Sequence, residues 1–290
     1  MTKVLSFLLL LSLAIDAKAQ EFRPNLGPDL PAITVTCDDI SILLRRKSQW
    51  TLGRIDFRGI PMTTDRSAYG TVFSYPNIGF IGTAHLENEP EDLQSLSFSL
   101  DGNELVNPKP ELQGESFRFR RESKVRDFRL INVVEIKNNR LYETTNVVAE
   151  AETPLNLVYH FMHAWTPTMS TLLAGNDDRS DEDLLQPLLN EKDVDRTFYV
   201  NRSVDWLSVY EPNSKQFAVS RLLEAPQNSK SESTVWNVVG TYRKYYLVAF
   251  RNETVARGFA GTWRMVTAFG QSDEEQWPKA ARDLALQLRQ

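Results

Sequence analysis

The chain has 290 residues, 33 of them Lys or Arg and 38 Asp or Glu, for a formal charge of −5, and it has one cysteine. That balance argues against a nucleic-acid partner, whose phosphates need clustered cations. The lone thiol excludes an internal disulfide, so the core must hold the fold unaided.

Residues 1–19 read as a secretory signal. Lys3 supplies a positive start, Val4 to Leu13 an apolar run, and Ala17-Lys18-Ala19 a small-x-small cleavage pattern that makes Gln20 the mature N-terminus. The apolar run is shorter than the ~20 residues of a spanning helix, so the expectation is export to the periplasm or the extracellular space, with no membrane partner. Without Lys3, Lys18 and Asp16, the mature chain keeps 31 basic and 37 acidic residues. Gln20 to Pro31 holds three prolines and a glycine and reads as an irregular lead-in. Residues 32–290 are expected to form one domain.

From there the texture is β. Ile33 to Cys37, Ile40 to Leu44, Trp50 to Phe57, Gly70 to Phe73 and Ile78 to Gly82 are short β-branched or aromatic runs between turn signals. Cys37 is read as a buried small side chain. The clusters Arg45-Arg46-Lys47 and Arg118 to Arg121 are read as solvated strand edges. Leu93 to Leu100 alternates and turns at Asp101-Gly102-Asn103 toward Glu104 to Val106. The alternation of Phe117 and Phe119 with arginines follows, then Phe128 to Lys137 and Leu141 to Ala149 around Asn138-Asn139. The acidic stretch Asn176 to Asp183 is read as an exposed loop, and Ser180 to Asn190 as holding a short helix. Arg196 to Val200, Trp206 to Tyr210, Phe217 to Leu223, Val235 to Thr241, Tyr245 to Phe250 and Thr262 to Phe269 add strands. Ser272-Asp-Glu-Glu275 is a capping-box pattern before Trp277, Ala281, Leu284 and Leu288 at helical spacing. The fold class is mainly β, a large antiparallel sandwich with a C-terminal helix.

Pro154 to Thr168, PLNLVYHFMHAWTPT, holds two of the three histidines. Val158, Tyr159 and Phe161 favour a strand, in which side chains alternate between faces. Leu155, Leu157, Tyr159, Phe161, His163 and Trp165 then face a core, and Asn156, Val158, His160, Met162 and Ala164 face a cleft. His160 becomes the histidine available for chemistry and His163 a core histidine.

Pro154-Leu-Asn156-Leu-Val-Tyr-His160, followed by aromatics, resembles a strand of the aldose epimerases (galactose mutarotases). Trp50 to Gly59 resembles an early strand of that family, and Gly261 to Phe269 its closing strand. The resemblance implies a β-supersandwich with a carbohydrate-facing site; no cofactor is expected, and no ligand spacing points to a metal site at His85 and His160. It casts His160 as general acid with Asn156 beside it, Glu253 as general base, and His85 and Arg66 as sugar-hydroxyl ligands. Val158 and Tyr159 stand where the family motif has Thr and Asn, and the surroundings of Glu253 differ from the family pattern. A carboxylate and a histidine opposed across a sugar ring can open a hemiacetal. The alternatives are a non-catalytic glycan-binding protein on the same scaffold, or a polysaccharide-lyase-like β-elimination using His160, Tyr159 and Arg66. A carboxylate one sugar ring away from His160 discriminates catalysis from binding. The sequons at Asn201 and Asn252 are assigned no role.

Overall fold

A computed structural model describes residues 25–67, 70–82, 85, 88–178, 183–188 and 198–289. The expected signal segment lies outside them, as do parts of the acidic loop and of the expected helix after Ser180. Among the described residues the strands form three sheets. Ile60–Pro61, Thr51–Phe57, Ile40–Arg45, Ala32–Cys37 and Glu111–Gly114 form a five-stranded sheet, in which the last pair runs parallel. A ten-stranded sheet runs from Leu184–Pro187 at one edge to Asn103–Glu104 at the other. At its centre Ala260–Gln271, Arg140–Ala149, Phe128–Lys137 and Phe117–Val125 pair in succession. A six-stranded sheet places Thr153–Trp165 between Tyr242–Val255 and Thr71–Tyr75.

The two smaller sheets cover one face of the ten-stranded sheet. Alternation explains this, because residues two apart share a face. Phe117, Phe119 and Val125, then Phe128, Leu130, Val134 and Ile136, then Leu141, Val147 and Ala149 all enter one core. Phe57 stacks on Phe269 at 5.4 Å and Phe73 on Phe128 at 4.7 Å, one contact from each smaller sheet. The smaller sheets join where Thr63 bridges Trp165 and the Thr64 N–H donates to the Ala164 carbonyl at 2.7 Å. Cys37 is fully buried in the same core, and burial raises its thiol pKa to about 11.

The helix, Trp277–Gln287, lies on the opposite face of the ten-stranded sheet and buries Trp277, Ala281 and Ala285 against Trp206, Tyr210 and Phe217. The capping box does not form. The N-cap position is Gln276 and makes no side-chain cap, while the Ser272 hydroxyl binds the adjacent Asp273 carbonyl. Pro278 in the first turn fixes the later start. Leu184–Pro187, expected as helix, is an edge strand. The acidic loop clamps this region: Asp177 takes Arg221 at 2.8 Å and Arg289 at 2.6 Å, and Asp183 takes Arg282 at 2.6 Å.

Candidate functional site

The Thr153–Trp165 strand does not keep its alternation. Its pairing with Tyr242–Val255 shifts register between Val158 and Tyr159 and again between His160 and His163. Phe161 sits at φ 56°, a left-handed conformation uncommon for a bulky side chain, and its N–H donates to the Gly70 carbonyl at 2.8 Å. This is a β-bulge, which adds a residue to one strand and re-aims the side chains beyond it. His160 and Phe161 therefore both face inward, and His163 and Trp165 follow them. Tyr159, Met162 and Ala164 face the other way, with Val72 and Val248. The expected separation of the two histidines onto opposite faces is thus corrected: the bulge inserted between them returns both to the core.

His160 is fully buried, with its ring centroid 4.5 Å from that of Trp263. Its Nδ1 lies 3.2 Å from the Thr71 hydroxyl, and its Nε2 has no hydrogen-bond partner among the described residues. Burial pushes its pKa down to about 3, so it is neutral at pH 7. The other residues expected around it lie elsewhere. His85 stacks on Phe80, with its Nε2 3.4 Å from the Tyr159 hydroxyl, on the outer side of the six-stranded sheet. Arg66 is exposed in a turn and Asn156 is exposed on its strand. Glu253 is partly exposed beside Lys230 at 3.6 Å. It pairs with Leu155, whereas His160 pairs with Leu247, six positions along the partner strand. That separation is roughly 20 Å at strand rise, far more than one sugar ring, so His160 and Glu253 do not form an opposed pair.

What the structure does assemble is a polar stripe across the inner face of the ten-stranded sheet. Arg121 is paired directly with Asn132, and Asn132 with Thr145, on three adjacent strands, with Glu143 two residues before Thr145. Asn132 donates to the Thr145 hydroxyl at 2.9 Å and to the Thr71 hydroxyl at 3.3 Å. Glu143 Oε2 lies 2.7 Å from His163 Nε2. Arg121, 1% exposed, binds the buried Glu91 at 2.7 Å, the Ser123 hydroxyl at 3.0 Å and the Gln49 carbonyl at 2.9 Å. That carbonyl is presented by two successive left-handed residues, Gln49 at φ 53° and Trp50 at φ 61°.

These side chains border a slot between the sheets, lined also by Thr51, Leu52, Phe119 and Phe161. About 30 Å³ of it admits the centre of a water-sized group. Arg121 Nη2 and Asn132 Oδ1 have no hydrogen-bond partner among the described residues. Buried polar atoms of native proteins are nearly always partnered, so these two mark a place for a polar guest. No group of three or more His, Cys, Asp or Glu side chains gathers into a metal site among the described residues.

No protein-family model matches the sequence, and none of the curated proteins matches it. Solved structures do match. A putative aldose 1-epimerase from Escherichia coli K12 is 9% identical, with 83% of this chain and 99% of that one covered and a TM-score of 0.49. The GH36 α-galactosidase AgaB from Geobacillus stearothermophilus is 9% identical, with 87% of this chain covered and a TM-score of 0.52. AgaA from the same organism, in complex with raffinose, is 9% identical, with 83% of this chain covered and a TM-score of 0.50. This chain spans 41% of each galactosidase. At such identities the likeness concerns the fold alone: this chain is a large antiparallel β-sandwich with a C-terminal helix, similar in fold to part of the AgaB galactosidase.

Proposed function

We propose that this protein binds a carbohydrate at the slot on the inner face of the ten-stranded sheet. The observation that carries this reading is the stripe of Arg121, Asn132, Glu143 and Thr145, which borders a cavity while two of its buried polar atoms, Arg121 Nη2 and Asn132 Oδ1, lack partners among the described residues. Sugar hydroxyls supply both donors and acceptors to such a surface. The solved structure of AgaA, of whose length this chain spans 41%, is a complex with raffinose, which makes galactose-containing glycans the first ligands to test. Ring opening by His160 and Glu253 is disfavoured, because one group is buried and neutral and the other lies at a distant strand end. Titration calorimetry of the mature chain against a glycan panel tests binding. Asn132→Leu and Glu143→Gln should each lower affinity about tenfold, the scale of one lost buried hydrogen bond. Unchanged affinity in both variants would refute the site.

One contact favours a second reading, sugar chemistry at the same slot. The Glu143 carboxylate and the His163 imidazole are hydrogen-bonded beside the cavity and could take and return one proton. Polarimetry on bound reducing sugars separates the readings: mutarotation that is abolished in Glu143→Gln indicates catalysis, and its absence in the wild type indicates binding alone. Export rests on the N-terminal segment. N-terminal sequencing of protein secreted by a signal-competent host should begin at Gln20.

A further inference from the structure

We infer that the slot is a subsite for one hydroxyl group, the exocyclic hydroxymethyl of a saccharide, and that the sugar ring stays outside. The inference rests on the carbohydrate reading above and specifies which part of the ligand enters. Size is the first argument. Only about 30 Å³ of the slot admits the centre of a water-sized group, so a ring is excluded and a single protruding group is not.

The second argument is hydrogen-bond chemistry. Arg121 Nη2 can only donate and Asn132 Oδ1 can only accept. Their residues are direct cross-strand partners, which puts their Cβ atoms roughly 5 Å apart. A hydroxyl accepts from one and donates to the other at once. A carboxylate would face Asn132 Oδ1 and Glu143 with nothing to donate. An ammonium would face the Arg121 guanidinium. A methyl would leave both polar atoms without partners.

Charge balance agrees. Arg121 is already paired with Glu91, so its guanidinium does not call for an anionic guest. Leu52, Phe119 and Phe161 supply apolar contact for a methylene. Among the hydroxyls of an aldopyranose, the primary one stands off the ring on its own methylene, so it can enter without carrying the ring with it.

The test is calorimetric titration of the mature protein with three sugar series: D-galactose, D-fucose and L-arabinose; D-glucose, 6-deoxy-D-glucose and D-xylose; D-mannose, D-rhamnose and D-lyxose. In the series that binds, the hexose should bind at least about tenfold more tightly than the 6-deoxy sugar and the pentose, because their loss leaves buried polar atoms without partners. Asn132→Leu should bring that ratio close to one. Equal binding of hexose and 6-deoxy sugar by the wild type would overturn the inference, leave water as the slot's occupant, and spare the carbohydrate reading. Binding of no sugar in any series would overturn both. The wild-type ratio decides the matter even where the variant fails to fold.

Discussion

At the scale of single residues, burial decides what each histidine can do. His160 has a pKa near 3 because water is excluded from its ring, against 6.5 for an ordinary histidine. The unfolded chain therefore binds a proton more readily than the folded one between those values, and the histidine's contribution to stability is present above pH 6.5 and lost as pH falls toward 3. The slope is at most about 1.4 kcal/mol per pH unit. His160→Gln removes this titration. Urea denaturation at pH 7 and pH 4.5 should show the wild type losing about 2 kcal/mol more than the variant; equal losses would mean that His160 is not a buried neutral group. Asp177 has the opposite sign. The Arg221 hydrogen bond, followed by that of Arg289, holds its pKa below the usual carboxylate value. Its contribution is present above about pH 4 and lost as pH falls through the depressed pKa. Asp177→Ala leaves the buried Arg221 guanidinium without its carboxylate and should cost about 2–3 kcal/mol in the same assay.

At the scale of elements, the bulge at Phe161 sets the site. Its left-handed backbone conformation is strained for any residue with a Cβ, by roughly 1–2 kcal/mol, while its ring is held in the core. Phe161→Ala should cost about 3–5 kcal/mol through the lost core contact. Phe161→Gly should be about 1 kcal/mol more stable than Phe161→Ala, because glycine adopts this conformation freely. The reverse order in chemical denaturation would contradict the bulge. The element also marks what a sequence can convey. The run Val158, Tyr159, Phe161 reads correctly as strand, and its period of two then separates the histidines. A bulge is one residue that breaks the period, and nothing in HFMH signals it, since the left-handed position carries no glycine or asparagine. The polar stripe is missed as well: Arg121, read with Arg118 to Arg120 as part of a solvated strand edge, is 1% exposed and anchors the stripe. Phe117, Phe119, Arg121, Ser123 and Val125 share one face of their strand; Leu130, Asn132, Val134 and Ile136 share another; Leu141, Glu143, Thr145, Val147 and Ala149 share a third. Each apolar face is interrupted by polar residues, and pairing aligns the interruptions. Registering three strands against each other reveals them, whereas scanning one strand at a time does not.

At the scale of the molecule, alternation and turn chemistry in the sequence conveyed a mainly β sandwich, with most strands within a few residues of their observed bounds. Turns at Asp101-Gly102 and Asn138-Asn139, with positive φ at each residue, divide the chain much as their composition implies. Short strands such as Thr171–Gly175 and Glu111–Gly114 escape notice because four or five residues carry too little pattern. The stability of this large core owes nothing to a disulfide, and Cys37 is buried and protonated at neutral pH. The melting temperature should therefore be the same with and without reductant, and a drop in reductant would contradict that. Function follows from how the three sheets meet. The slot exists because the bulged strand of the six-stranded sheet and the Thr51–Phe57 strand of the five-stranded sheet close over the polar stripe of the ten-stranded one. The most direct test of this account is calorimetric titration of a bound glycan into the wild type, Asn132→Leu and His160→Gln in parallel. Loss of binding in Asn132→Leu with retention in His160→Gln is the result it predicts. Retention in Asn132→Leu with loss in His160→Gln would contradict it and return the site to the histidine.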